Sequence, residues 1–98
     1  MVKRNDNKVA VRARIQGRVQ GVGYRAWVKG EAARLGLYGW VRNRTDGSVE
    51  ALFVGAGADV VRMLDLCSSG PAGAIVDAIS QEKAQGITAG RFDVKPTV

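Results

Sequence analysis

The stretch from Val9 to Gly36, VAVRARIQGRV-QGVG-YRAWVKGEAARLG, changes its hydrophobic period once, and the change decides the fold. Up to Val19 the pattern alternates. Val9, Val11, Ala13, Ile15, Gly17 and Val19 share one face and mostly polar residues the other, as in a half-buried strand. Q-G-V-G breaks that pattern. Tyr24, Trp27, Val28, Ala32 and Leu35 then recur at helical spacing until Gly36, a residue suited to the left-handed conformation that ends helices. A strand that feeds a helix through a short glycine-containing loop opens a βαβ unit.

Working outward, Leu37 to Asn43 reads as a second strand, Thr45-Asp-Gly-Ser48 as a tight turn, and Val49 to Val54 as the returning strand of a hairpin. Gly55-Ala-Gly-Ala-Asp59 introduces a second helix from Asp59 to Ser68, with Asp59 suited to the positive end of the helix dipole and Gly70-Pro71 as its stop. On that helix Val60, Val61, Leu64 and Cys67 form the expected inward face. A fourth strand spans Ile75 to Glu82. A loose Q-G-I-T-A-G stretch and a short strand from Phe92 to Lys95 follow. The order β-α-β-β-α-β with a short fifth strand predicts a ferredoxin-like α+β sandwich, a mostly antiparallel sheet covered on one face by two helices. In that topology the first and second strands run parallel with the third between them. Their C-terminal ends therefore share one edge with the start of the first helix.

A chain of 98 residues with no repeat and no linker is expected to be a single domain, 1–98, with the polar residues 1–8 as a disordered tail. With 46% hydrophobic and 24% charged residues the composition is that of a soluble globular chain. Fifteen Lys/Arg against nine Asp/Glu give a net charge of +6, which favours anionic partners. Histidine is absent, which excludes Ser-His and Cys-His catalysis and the common zinc sites. The lone Cys67 cannot form an internal disulfide and is expected in the core. The first residues contain no apolar signal region, and no apolar run approaches the ~18 residues of a membrane span. A cytoplasmic protein with no membrane partner is the expectation.

The shared sheet edge gathers the residues with chemical potential. Gly21 and Gly23 allow backbone amides to turn toward a common point, and the first turn of the helix adds free N–H groups and the positive end of its dipole. Such a cradle suits a phosphate. Arg25 follows at once, with a planar fork of donors for two phosphoryl oxygens. Asn43 falls on the core-facing row of Leu37, Gly39 and Val41, where a polar amide needs partners. Taken alone, the glycines also suit a plain turn, Arg25 a solvated first-turn residue, and Asn43 an amide that ties the loop.

Two segments carry a resemblance. G-R-V-Q-G-V-G-Y-R from Gly17 to Arg25 resembles the acylphosphatase motif G-x-V-Q-G-V-x-[FY]-R, and G-W-V-R-N-R-T-D-G-S-V-E from Gly39 to Glu50 resembles its companion G-x-V-x-N-x-x-D-G-x-V-E. Gly70 to Asp77, G-P-A-G-A-I-V-D, is similar to a looser family pattern, and Tyr24 stands where Phe is commoner. The resemblance implies hydrolysis of acyl phosphates to a carboxylate and inorganic phosphate. By it, Arg25 binds the phosphate, Asn43 orients the attacking water, and the amides from Gln20 through Gly21, Val22 and Gly23 to Tyr24 bind phosphate oxygens. It also implies the strand order 4-1-3-2-5, a small-molecule acyl phosphate and inorganic phosphate as ligands, no metal or organic cofactor, and a monomer.

The alternative is a non-catalytic anion-binding or RNA-binding module of the same fold. RNA-recognition domains stack bases on aromatic residues of the two central strands. Here the first strand has none and the third only Phe53, so nucleic acid is not expected. Tyr38 and Trp40 alternate away from Val41 and are expected on the open face of the sheet, with Trp40 a possible contact surface.

Overall fold

A computed structural model describes residues 8–85 and 90–98. Residues 1–7 of the expected tail, and most of the loose stretch after Gln85, lie outside the described residues. The elements are β1 (Lys8–Arg18), α1 (Tyr24–Arg34), β2 (Tyr38–Asn43), β3 (Val49–Ala56), α2 (Gly57–Ser69), β4 (Ile75–Lys83) and β5 (Phe92–Val94). The sheet order is β4-β1-β3-β2-β5, with β1 antiparallel to β3 and β4, β2 antiparallel to β3, and β5 parallel to β2. α1 packs on β2 and β5, and α2 on β3, β1 and β4. This is the expected ferredoxin-like α+β sandwich.

The alternation of β1 sends Ala13 and Ile15 into the core beside Val49, Ala51 and Phe53 of β3 and Val41 of β2. Tyr24, Val28 and Ala32 of α1 close over one half of that layer and Val60, Met63 and Cys67 of α2 over the other. Two details differ from the sequence reading. On α2 the inward row is Val60, Met63 and Cys67, while Val61 is 59% exposed: the i, i+3, i+7 row faces the sheet and Val61 lies on its flank. Lys8, assigned to the tail, is the first residue of β1, paired with Ala56, because β3 runs two residues past Val54 and offers it a partner.

Three glycines set the geometry near the loop edge. Gly36 has φ 72°, and the amides of Gly36 and Leu37 donate to the carbonyls of Ala33 and Ala32, so the helix stops where the sequence predicts and the chain turns into β2. At Gly17 (φ 130°) β1 shifts register against β4, and a Cβ would lie 2.1 Å from the Ile75 carbonyl oxygen. Gly39 (φ 134°) lets β2 approach β3 where a Cβ would meet the Leu52 carbonyl oxygen at 1.9 Å. Neither position tolerates a side chain, and both lie on strands that lead to the edge holding Arg25 and Asn43.

Candidate active site

The C-terminal end of β1, the loop after it, the first turns of α1 and the end of β2 enclose a cleft of about 630 Å³. Gln20, Gly21, Gly23, Tyr24, Arg25 and Asn43 line it, so six of the seven residues named from the sequence meet at one place. Val22 does not; it is half-buried and packed against the core. Gly21 and Gly23 both have φ 76°, a conformation that costs glycine little, and together they fold the loop back on itself.

Gly23 caps α1 without a side-chain hydrogen bond, and the first intrahelical bond at this end runs from Trp27 N–H to the Gly23 carbonyl. The N–H groups of the first turn thus have no partner inside the helix, and the positive end of the helix dipole opens on the cleft. Arg25 stands in that turn. Among the described residues it belongs to no ion pair, although six other arginines each hold a carboxylate.

Asn43 ends β2. Its backbone carbonyl accepts from Val98 N–H at 3.2 Å, but its side-chain Oδ1 is buried with no hydrogen-bond partner among the described residues. A buried amide oxygen without a donor costs about 1–3 kcal/mol. Asn43 also lines the cleft, and an amide oxygen with no donor of its own is suited to accept from a ligand or water there.

Two side chains in the loop are committed to holding it. Gln20 Nε2 donates to the carbonyl oxygens of Arg44 and Ser48, both at 2.8 Å, and so straps the cradle to the hairpin turn that follows Asn43. The sequence reading counted only the Gln20 amide and missed this strap, whose acceptors are backbone carbonyls that carry no residue signal. Tyr24 is fully buried, and its hydroxyl donates to the Cys67 carbonyl at 2.7 Å, joining the start of α1 to the end of α2. Burial pushes the phenol well above its ordinary value, so it acts as a fixed donor. Burial also pushes the Cys67 thiol up, to about 12, which leaves it inert.

The carboxylates nearest in sequence are elsewhere. Asp46 accepts from Ser48 N–H at 2.9 Å and Ser48 Oγ at 2.6 Å within the turn, and those bonds hold its carboxyl below the ordinary value. Glu50 lies on the open face of the sheet, taken up by Arg42 and Arg44. Neither lines the cleft. Among the described residues no three His, Cys, Asp or Glu side chains cluster as metal ligands do, and no helix is long and apolar enough to cross a membrane.

A ferredoxin-like sandwich with a glycine loop, an arginine outside any ion pair among the described residues and a helix N-terminus converging on one cleft has the features that suit an anion-binding protein. Comparison with known proteins makes the class specific: the acylphosphatase family model matches residues 11–94. The chain is 55% identical over 85 residues to an acylphosphatase of Mesorhizobium japonicum, covering 87% of this chain and 90% of that protein. It is 50% identical over 98 residues to one of Bradyrhizobium diazoefficiens, covering 94% and 99%. The solved structure of an acylphosphatase from Coxiella burnetii superposes with a TM-score of 0.89 at 28% identity over 97% of this chain and all of that one, 100%. The chain belongs to the acylphosphatase family.

Proposed function

We propose that this acyl phosphate hydrolase holds the phosphoryl end of its substrate between the amides of the Gln20–Tyr24 loop and the guanidinium of Arg25, and directs water at phosphorus with Asn43. Acyl phosphates carry a good leaving group, so catalysis reduces to positioning and charge stabilisation, which needs no histidine. The loop amides and Arg25 spread the phosphoryl charge. Asn43 accepts a hydrogen bond from the water through Oδ1, which turns a lone pair toward phosphorus. The new P–O bond forms as the bond to the carboxylate oxygen breaks. The water proton passes to a phosphoryl oxygen, and the products are a carboxylate and inorganic phosphate.

One observation carries this reading: Asn43, whose side-chain Oδ1 is buried with no hydrogen-bond partner among the described residues, lines the cleft that Arg25 also lines. The accompanying expectation is a cytoplasmic monomer, consistent with a single buried cysteine. The test is hydrolysis of benzoyl phosphate beside an Arg25→Ala control. Wild-type protein should turn over the substrate, with inorganic phosphate as a competitive inhibitor and stable phosphate monoesters as poor substrates. Activity should survive exhaustive chelation with EDTA; loss on chelation with recovery on adding a divalent cation overturns the metal-free mechanism. Equal rates in wild type and Arg25→Ala overturn the site assignment.

A further inference from the structure

We propose that the cleft favours acyl phosphates whose acyl chain carries a second anionic group, and that Lys29 is the residue that recognises it; this rests on Arg25 as the phosphoryl anchor. At about 630 Å³ the cleft is on the scale of sites that take whole small molecules. Beyond the cradle it is walled by Ala26, Lys29, Gly30 and Ala33, with Val94 of β5 also lining it. The spacing i, i+3, i+4, i+7 places the four α1 residues on one flank of the helix, beside the core-facing row of Tyr24, Val28 and Ala32.

Gly30 is the informative member of that flank. It lies inside a helix, where glycine is among the least favourable residues, yet its φ is not positive and a Cβ built on it would meet nothing within 4 Å. Neither backbone conformation nor packing demands glycine there. What its presence leaves is room in the groove.

Within this extension of small, apolar walls Lys29 is the one charged lining residue. It belongs to no ion pair among the described residues. It follows Arg25 by four residues, about 6 Å along the helix axis, so the two cations sit one turn apart on the same side. A phosphoryl group on Arg25 then directs the acyl chain along the flank, and a carboxylate or phosphate a few atoms beyond the acyl carbon comes within reach of the lysine. The lysine meets such a group as a point charge on a flexible stem, which reaches acyl chains of different length.

The experiment compares kcat/KM for succinyl phosphate and butyryl phosphate, which match in chain length and differ in the terminal carboxylate. Wild type should favour succinyl phosphate by about fivefold at low salt, which corresponds to about 1 kcal/mol for an exposed ion pair, and the ratio should shrink as ionic strength rises. Lys29→Gln should bring the ratio close to one and Lys29→Glu below one. A merely structural lysine would move rates on both substrates together and leave the ratio alone. A wild type without preference, or a ratio unchanged in Lys29→Gln, overturns the proposal. Failure of wild type to hydrolyse either compound instead overturns the assignment of the cleft as an acyl phosphate site, and the proposal with it.

Discussion

On the open face of the sheet, Arg42 and Arg44 both donate to Glu50, at 2.8 and 2.9 Å, Arg12 holds Glu82 at 2.7 Å, and Arg14 reaches Asp46 at 3.3 Å. Arg42 and Lys95 also lie over the ring of Trp40, 4.7 and 5.1 Å from its centroid, so the aromatic residue that looked like a contact surface is occupied by the protein's own cations. At the loop edge the same residue types are left uncommitted. Among the described residues Arg25 and Lys29 pair with no carboxylate, the first-turn amides of α1 have no side-chain cap, and Asn43 Oδ1 has no donor. On the open face the arginines are held by the protein's own carboxylates, with only Arg14 Nε left without a hydrogen-bond partner among the described residues, whereas the cleft presents cations outside any ion pair, an arrangement suited to an added anion. A net charge of +6 therefore says less about partners than where the unpaired cations stand.

That contrast is most exposed to failure at its arginines. Arg25→Ala should lower kcat/KM on benzoyl phosphate by about 10³-fold or more, the scale for a guanidinium that neutralises a transferring phosphoryl group, and should weaken competitive inhibition by inorganic phosphate in parallel. Arg25→Lys keeps the charge without the fork and should recover only part of the rate. Arg42→Ala, on the paired face, should leave the kinetics close to wild type. Equal losses from the two alanine variants would break the distinction between the faces.

The next effect in size separates binding from chemistry inside the cleft. Asn43 is assigned to water and not to the phosphoryl group, so Asn43→Ala should lower kcat by about 10²-fold, the scale for one positioned polar group, while the inhibition constant for inorganic phosphate changes little. If the variant hydrolyses substrate normally and is only less stable, the amide is structural and the water is held by another group.

How much of this was legible in the sequence follows from how local each feature is. The period change between Val19 and Tyr24 is a property of neighbouring residues, so the strand, loop and helix could be read directly, as could the stop at Gly36. The meeting of Arg25 with Asn43 followed from topology alone, because parallel β1 and β2 must end at the same edge. The strap from Gln20 to Arg44 and Ser48 was not legible, since it spans a sequence separation of 24 and 28 residues and uses backbone acceptors that any residue supplies. The α2 face was misread at Val61 because valine suits an interior or a flank equally, and only the angle at which the helix meets the sheet selects Met63 instead. The groove flank at Lys29, Gly30 and Ala33 carried a periodic signal one turn after Arg25. It was masked by the stronger apolar stripe on the same helix.

The smallest effect belongs to the paired face, and it sharpens the comparison by moving stability without moving chemistry. Glu50 is 6% exposed and touches no part of the cleft, so Glu50→Ala should keep kcat/KM within about twofold. The variant leaves Arg42 and Arg44 without their shared acceptor. Because those arginine side chains are 25% and 31% exposed, water screens the loss, and the expected cost is about 1–2 kcal/mol, or roughly 5–10 °C in Tm for a domain of this size. The pH dependence follows from the same contacts. Burial raises the Glu50 carboxyl, but the hydrogen bonds from Arg42 and Arg44 outweigh it and hold the group below its ordinary 4.5. A depressed carboxylate contributes stability that is fully present above the unfolded value and is lost as pH falls through the folded one. Wild-type melting temperature should therefore decline as pH drops below about 4.5, and Glu50→Ala should lose part of that decline, with Asp46 supplying some of the slope that persists. Thermal melts of both proteins across that range, beside rates at neutral pH, decide the matter. A loss of activity in Glu50→Ala at unchanged Tm would mean that the open face communicates with the cleft through β3, and that the two regions are not chemically separate.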